Sequence, residues 1–267
     1  LEFRRVLFRS DDLPGELRPF GLALNGLLQR IRAMLMRERQ FAATAAHQLR
    51  TPLAGLRLGL ARAAKAGSMA EARPILAELD QATQRTSRLV QQLLTLGRLD
   101  PELEHGLPME PCDLALLVQD VGLSYADQAI AKGIDISFEP PAVPLRVLAH
   151  ADLLSEATGN LIDNAVRYTP AGGRIVIDFL VDPPGLRISD NGPGIPPAER
   201  AAVVQRFYRG ETQDQEGTGL GLAIVNDIAR LLGARMVIGE TPGGGTRITL
   251  RFLGQDRPDD RPDEDRK

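Results

Sequence analysis

A seven-residue repeat of apolar side chains runs through the first quarter of the chain, from Leu17 to about Leu60. Its members fall at Phe20, Leu24, Leu27, Ile31, Leu35, Phe41, Ala45, Leu49, Leu53, Leu56 and Leu60. A repeat of this length predicts one long helix that packs on other helices along a single stripe. Pro52 is compatible with it, because a long helix can continue through a proline when the freed carbonyl finds another partner.

A second helical pattern follows a break at residues 65–68. Ser68 and Glu71 have the spacing of a capping box. Apolar residues then recur in steps of four and three, at Ile75, Leu79, Ala82, Thr86, Leu89, Leu93 and Leu96. Two such helices with a short connection predict an antiparallel hairpin, here assigned to residues 34–100. A lone hairpin buries only one stripe on each helix, so we expect a homodimer in which two hairpins form a four-helix core.

The apolar period changes beyond a linker at residues 101–108. Asp113 is expected to cap a helix that runs to about Lys132 and ends at Gly133. Further helices are expected at 152–168 and 219–232, and strands at 134–138, 145–148, 174–181, 185–189, 235–238 and 246–252. Because many strand pairs are close in sequence, residues 109–253 are predicted to form an antiparallel-rich sheet with helices on one face. The fold class is therefore α+β.

The composition excludes several classes of protein. A net charge of −3 without a stripe of Lys and Arg gives no reason to expect a nucleic-acid partner. The single cysteine, Cys112, excludes an internal disulfide framework. No run of about eighteen apolar residues occurs, so nothing in this chain is expected to span a membrane, and the chain itself is expected to be soluble. Residues 1–12 are predicted to be a non-native or disordered leader, and residues 254–267 a disordered tail.

Two asparagines lie four residues apart on the helix predicted at 152–168. Asn160 and Asn164 therefore project from one helix face, and Asp163 and Arg167 form a second pair with the same spacing. An amide oxygen is a suitable hard ligand for Mg²⁺, and Arg167 could approach a phosphate. A polar, solvent-exposed helix face is the alternative interpretation of these residues.

Two glycine-rich turns follow in the same half of the chain. Asp190 stands at the end of a predicted strand and precedes Gly192 and Gly194, where its carboxylate could accept a hydrogen bond from an exocyclic amine such as that of adenine. An ordinary tight turn would have the same composition. The second turn contains Gly217, Gly219 and Gly221 and leads into a helix, whose N-terminal amides are suited to phosphate oxygens.

In order and spacing, these motifs and the run Gly243-Gly244-Gly245-Thr246 resemble the N, G1, G2 and G3 boxes of the ATP-binding domain of bacterial sensor histidine kinases. Residues 205–209 stand where that family has its F box. The resemblance implies an α/β sandwich of the type shared with gyrase and Hsp90, which binds ATP and Mg²⁺. It further implies that Asn164 is the metal ligand with Asn160 beside it, that Asp190 recognises adenine, and that residues 195–216 form a mobile lid. The implied nucleotide-binding residues are Asn160, Asn164, Arg167, Tyr168, Asp190, Gly192, Gly194, Arg209, Gly217, Thr218, Gly219, Leu220, Gly221 and Thr246.

His47 lies on the predicted long helix, away from the apolar stripe that includes Ala45 and Leu49. A solvated bystander is the ordinary interpretation of a lone helical histidine. The segment 41–53, with Gln48 and Thr51, however closely resembles the H box of the same kinases. The resemblance implies autophosphorylation of His47 by ATP, transfer to an aspartate on the receiver domain of a response regulator, and a phosphatase role for the Thr51 hydroxyl.

Gln48 departs from the commoner family pattern, which has an acidic residue directly after the histidine. An amide accepts a hydrogen bond but cannot take a proton, so slower autophosphorylation is expected. Sensors associated with tricarboxylate uptake also carry glutamine here. Two other functions stay open: an ATPase of the gyrase or Hsp90 type, although such enzymes have a glutamate where Asn160 stands, and a nucleotide-binding scaffold that recruits a regulator without phosphotransfer.

Residues 13–33 resemble the second helix of a HAMP signalling linker, although a plain coiled-coil extension would have a similar pattern. This resemblance implies an upstream sensor with membrane helices that this chain lacks. The chain would then be the cytoplasmic part of an inner-membrane sensor.

Overall fold

The computed structural model describes residues 14–98, 107–210 and 218–253. The chain divides in sequence between Arg88 and Leu89 into two compact units. The leader at 1–12, the first residue of the signalling helix, most of the linker and the tail at 254–267 lie outside the described residues. Among the helices that are described, none combines the length and the apolar character that a membrane crossing requires.

The first unit contains most of the predicted helical hairpin, whose second helix continues into the second unit. A short 3-10 helix at Gly15–Leu17 precedes α1, which covers Arg18–Ala63 without interruption and contains Pro52. Helix α2 covers Met69–Arg98. Arg62 and Glu78 form an ion pair at 3.5 Å across the hairpin, which confirms that the helices are antiparallel. Ser68 Oγ accepts from the Glu71 amide at 3.3 Å. The Glu71 carboxylate reaches back to the amide of Gly67 at 3.0 Å, one residue beyond the partner in a standard capping box.

The apolar stripe of α1 is largely uncovered in the single chain. Phe20 is 70% exposed, and Leu27, Leu53 and Leu60 are also exposed. A soluble protein rarely leaves such a stripe in water, so the stripe favours association with another helical surface. Homodimerisation through it stays a prediction.

The second unit is built on a mixed sheet. Among the described residues it has five strands, which pair in the order Asp135–Phe138 (β2), Arg174–Val181 (β4), Pro184–Asp190 (β5), Thr246–Phe252 (β7) and Ala234–Glu240 (β6). Only β2 and β4 pair in parallel, and the other neighbours are antiparallel. The predicted α+β class and the antiparallel-rich sheet are thus confirmed.

Two helices connect this sheet to the polar motifs. Helix α5 covers Ala151–Tyr168 and contacts β5, and α6 covers Gly221–Leu231 and contacts both α5 and β6. The helices and strands meet through side chains with almost no solvent exposure: Leu154, Leu161, Ile162, Ile175, Ile188, Ile224, Ile228 and Leu250. Their burial fixes which face of each helix remains for polar residues.

The single helix predicted from Asp113 to Lys132 was wrong. The structure has α3 at Leu114–Leu123 and α4 at Ala126–Lys132. Both predicted ends are correct: Asp113 Oδ1 accepts from two amides of the first turn, and Gly133 adopts φ 67°. The break occurs because the Ser124 hydroxyl donates to the Val121 carbonyl at 2.6 Å and so competes with the helical pattern.

One strand was missed. Residues Glu110–Asp113 (β1) pair antiparallel with Arg146–Ala149 (β3) in a separate two-stranded sheet. The sequence of β1 contains Pro111 and no apolar alternation, so its strand conformation depends on the partner rather than on local preference.

Candidate nucleotide site

Helix α5 carries both predicted asparagines, and their side chains differ in burial and in hydrogen bonding. Asn160 is only 8% exposed, and its Nδ2 donates to the Glu156 carbonyl at 2.9 Å and to Glu156 Oε1 at 3.2 Å. Asn164, one turn later, is half-buried and makes no side-chain hydrogen bond within the described residues. Asn164 therefore has the carbonyl oxygen that a cation could use.

The C-terminal end of α5 carries positive charge. Arg167 pairs with Asp163 at 3.1 Å, and Lys132 Nζ donates to the carbonyls of Val166 and Arg167 at 2.9 and 2.7 Å. Burial, reinforced by the nearby Arg167 charge, lowers the pKa of Lys132. Lys132 was not among the residues predicted for the site, because it belongs to α4 and caps carbonyls of another helix that lie 34 and 35 residues further along the chain. Tyr168 ends the helix with an exposed side chain.

Asp190 ends β5 in a buried position and is 8% exposed. Its Oδ1 accepts from the amides of Gly192 at 2.9 Å and Thr246 at 3.0 Å. Burial raises the pKa of the carboxyl group, and these two hydrogen bonds act in the opposite direction. Oδ2 makes no hydrogen bond within the described part of the chain, so it can accept from a ligand.

The G3 glycine run approaches the Asp190 turn too closely for any side chain. A Cβ on Gly245 would overlap the Asp190 carbonyl oxygen, and Gly245 also has φ +105°. Gly194 lies beside the Gly245 carbonyl, with its own Cβ position 3.3 Å from that oxygen. The structure thus brings the predicted G1 and G3 residues into direct contact.

The start of α6 lies against the two asparagines. A Cβ added to Gly221 would lie 3.2 Å from Asn164 Nδ2 and 3.4 Å from Asn160 Oδ1. Thr218 Oγ1 accepts from the amide of the buried Leu220 at 3.3 Å. The open amide of Asn164 and the N-terminal amides of α6 therefore form one polar corner.

The predicted F box is attached to this same turn. The Phe207 amide donates to the Gly219 carbonyl at 2.8 Å, and Arg206 pairs with Asp227 of α6 at 2.9 Å. Arg209 is exposed. Gly217 and the lid tip at 211–216 lie outside the described residues.

Gln92 is a member of this corner that the sequence analysis did not identify. It belongs to the part of α2 that falls in the second unit. Its Nε2 donates to Asn160 Oδ1, and its Oε1 accepts from Thr218 Oγ1, both at 2.9 Å. A signal was present: Gln92 lies three residues after Leu89 and four before Leu96, so it is a polar residue on an apolar stripe.

The donor set fits a cation held jointly with phosphate. The described residues contain no cluster of three or more His, Cys, Asp or Glu side chains that could hold a metal alone. Mg²⁺ typically takes one or two protein oxygens and completes its shell with waters and phosphate oxygens. The Asn164 carbonyl oxygen, beside the N-terminus of α6, matches that requirement.

The residues predicted for phosphotransfer lie on α1 in the first unit. His47 and Thr51 are exposed, and Gln48 is half-buried. The Thr51 hydroxyl donates to the His47 carbonyl at 3.5 Å, as helical threonines often do one turn back. The exposed imidazole is accessible to a reaction partner.

Two family models match the chain. The "His Kinase A (phospho-acceptor) domain" matches residues 37–102, and the "Histidine kinase-, DNA gyrase B-, and HSP90-like ATPase" matches residues 149–256. The sensor protein QseC of Escherichia coli (strain K12) is 38% identical over 234 residues, which are 87% of this chain and 51% of that protein. The signal transduction histidine-protein kinase/phosphatase MprB of Mycobacterium ulcerans (strain Agy99) is 36% identical over 272 residues, 95% of this chain and 50% of that protein.

A solved structure shows the same architecture over most of the chain. Full-length ShkA in complex with AMPPNP superposes with a TM-score of 0.59 at 26% identity, covering 80% of this chain and 45% of that one. The chain spans about half the length of the curated relatives it matches.

The raised pKa of Asp190 predicts a pH effect on stability. Above the ordinary value of 3.8, the folded domain retains a proton that the unfolded chain has released, so the free energy of unfolding falls as pH rises through that interval. Asp190→Asn removes this proton and keeps an Oδ1 acceptor for Gly192 and Thr246. We expect the variant to gain stability relative to the parent with rising pH, measured by urea unfolding from about pH 4 upward. A difference that grows toward acid would contradict this.

Proposed function

Because its phospho-acceptor and ATPase domains follow one another in that order, this chain belongs to the sensor histidine kinases, and we propose that it transfers the γ-phosphoryl group of ATP to His47. The phosphoryl group would then pass to an aspartate on the receiver domain of a response regulator. The observation that carries the proposal is the polar corner of Asn164 and Gly221, and Asp190 is the proposed acceptor for the adenine amine. The complex of the related ShkA with AMPPNP supports a triphosphate as the ligand.

The residues of the site have distinct tasks in this proposal. Asp190 Oδ2 accepts from the adenine amine, while its Oδ1 is held by the amides of Gly192 and Thr246. Thr218, Gly219, Leu220 and Gly221 hold the phosphates with their amides at the N-terminus of α6, as Gly217 would beside them. Arg167, Tyr168 and Arg209 would lie near the phosphates. Asn164 would hold Mg²⁺, which neutralises phosphate charge when bound.

Hydrolysis as the sole function is the second possibility. An ATPase of the gyrase or Hsp90 type needs a base for the attacking water, and Asn160 stands at that position with an amide that cannot take a proton. Both functional groups of Asn160 are also occupied, by Glu156 and by Gln92. These contacts favour phosphotransfer over hydrolysis.

Dimerisation and regulator docking would occur on the helical hairpin. The exposed stripe of α1 is suited to a second copy, and the surface around His47, Arg50 and Thr51 is exposed for a receiver domain. The net charge of −3, without a stripe of Lys and Arg in the sequence, gives no reason to propose a nucleic-acid partner. In the intact protein, attachment to a membrane would come from a segment before the HAMP-like helix at 13–33, which would place this part on the cytoplasmic side.

Replacement of His47 tests the proposed reaction. With γ-labelled ATP and Mg²⁺, the parent protein should acquire label that is lost in acid and stable in base, and His47→Ala should abolish it. His105→Ala is the matched control and should retain the label. Release of free phosphate without protein label would indicate an ATPase, and nucleotide binding with neither product would indicate a scaffold.

Gln48→Glu should accelerate autophosphorylation. A carboxylate beside the imidazole can accept its proton, whereas an amide provides only a hydrogen bond. Because positioned general bases contribute about 10²- to 10⁴-fold, a gain of roughly tenfold is expected from partial assistance. The initial rate of label incorporation between about pH 6 and 8 measures it. Gln81→Glu, an exposed change on α2, is the control; equal rates for Gln48→Glu and parent throughout that range would refute the role of Gln48.

Thr51→Ala should separate the two activities attributed to the H box. Its hydroxyl is exposed on the His47 face of α1, where it could orient water toward a phosphorylated regulator. We expect near-parental autophosphorylation and at least a tenfold loss of regulator dephosphorylation, the scale of one positioned group. Thr51→Ser, which keeps the hydroxyl, should retain both. A parallel loss of both activities in Thr51→Ala would mean that Thr51 stabilises the helix and does not orient a water molecule.

A further inference from the structure

Five polar groups form a directional chain of hydrogen bonds through the polar corner. The Leu220 amide donates to Thr218 Oγ1, whose own hydroxyl hydrogen goes to Gln92 Oε1. Gln92 Nε2 in turn donates to Asn160 Oδ1, and Asn160 Nδ2 donates to Glu156. Thr218, Gln92 and Asn160 each accept from one neighbour and donate to the next, the arrangement in which hydrogen bonds reinforce one another.

Gln92 is the link between the two nucleotide-binding elements in this chain. Without it, the Asn160 amide on α5 and the Thr218 hydroxyl before α6 have no hydrogen bond that joins them among the described residues. Gln92 is 7% exposed, so an unpaired amide at this position would carry the cost of a buried polar group without a partner. The hydrogen bonds to Asn160 and Thr218 therefore fix the Gln92 side chain, and they also fix α5 and the turn before α6 relative to each other.

This arrangement determines what each neighbour can offer a ligand. The Asn160 carbonyl oxygen is used by Gln92, which leaves Asn164 as the asparagine with an available oxygen. The Thr218 hydroxyl is oriented so that its lone pair receives the Leu220 amide, and this orders the turn that precedes Gly221. Both consequences concern the phosphate and metal end of the site. The Asp190 end uses other contacts, from Gly192 and Thr246.

We propose that Gln92 is a positioning residue of the nucleotide site, which aligns the Asn160 face of α5 with the turn at Thr218 so that Asn164 and the start of α6 bind a Mg²⁺-polyphosphate. The proposal rests on the proposed function, since it concerns the same nucleotide. It also means that the last turns of α2 contribute to the ATP site. Gln92 belongs to the same continuous helix as residues 69–88, so a rotation of α2 that withdraws its carboxamide would lower nucleotide affinity.

Gln92→Leu tests the proposal, because leucine is similar in volume and makes neither hydrogen bond. We expect the Kd for Mg·ADP to rise roughly tenfold, the loss that corresponds to about one net hydrogen bond. The Kd for adenosine, which lacks phosphates, should be unchanged, because the contacts of Asp190 do not involve Gln92. Calorimetric titration of both ligands on the 267-residue chain measures the two constants. Gln91→Leu is the matched control, since Gln91 is the adjacent, exposed glutamine of the same helix.

Variants of the partner residues separate positioning from general stability. Thr218→Val should weaken Mg·ADP about as much as Gln92→Leu, Thr218→Ser should restore near-parental binding, and the double variant Gln92→Leu/Thr218→Val should lose less than the sum of the single changes. Gln92→Glu keeps the acceptor for Thr218 but faces Asn160 Oδ1 without a donor, so it should also weaken Mg·ADP. If Gln92→Leu does not fold, the comparison of Thr218→Val with Thr218→Ser decides.

The outcomes distinguish this proposal from the one on which it depends. Absence of Mg·ADP binding by the parent chain would contradict the proposed function itself. A parent that binds, together with Gln92→Leu that binds as tightly as Gln91→Leu, would overturn only the role of Gln92. Equal weakening of adenosine and Mg·ADP would assign Gln92 to general packing, and tighter Mg·ADP binding would mean that it competes with the nucleotide; either result overturns the proposal.

Discussion

The second unit depends on the close approach of α6 to the polar face of α5. The approach is driven by apolar burial, since Leu161 and Ile162 on α5 and Ile224 and Ile228 on α6 have almost no solvent exposure. It is permitted by Gly221, where even a Cβ would be only 3.2 Å from Asn164 Nδ2. The same packing that excludes water from the core therefore places helix N-terminal amides beside an asparagine oxygen. The proposed phosphate and metal end of the site is therefore a consequence of how the core packs.

The proposed adenine end of the site has a different physical origin. It is formed where β5 ends and the glycine run before β7 passes over it, and Gly245 allows backbone to contact backbone there. Burial of the Asp190 carboxylate is unfavourable, as its raised pKa indicates, and the amides of Gly192 and Thr246 offset only part of that effect. The folded domain thus loses some stability by burying the Asp190 carboxylate, which is held as an acceptor in a fixed position. Such local conflicts between stability and geometry are typical of binding sites.

Periodic and local signals in the sequence were sufficient for most of the fold. The seven-residue repeat correctly predicted α1, and the apolar steps of four and three correctly predicted α2. Asp113 and Gly133 correctly predicted helix ends, because all these signals involve residues close in sequence. The failures involve competition or distant partners. The Ser124 hydroxyl donates to a helical carbonyl, and β1 adopts its conformation only beside β3. Gln92 forms hydrogen bonds with residues 68 and 126 positions away in the sequence. The pattern within α2 marks Gln92 as a polar residue on an apolar stripe, but it could not have identified these distant partners.

The preference for amides over carboxylates in the polar corner follows from the charge of its proposed ligand. A polyphosphate repels carboxylates, and a carboxylate near its terminal phosphorus could also activate water and waste the phosphoryl group. Asn160, Asn164 and Gln92 instead supply neutral oxygens, which orient groups and bind a hard cation without taking a proton. Of the acids nearby, Asp163 is paired with Arg167, and Glu156 accepts from Asn160. In the proposed reaction, a site built in this way would hold ATP intact until a better nucleophile than water arrives, and for phosphorylation of an imidazole this restraint is as necessary as binding itself.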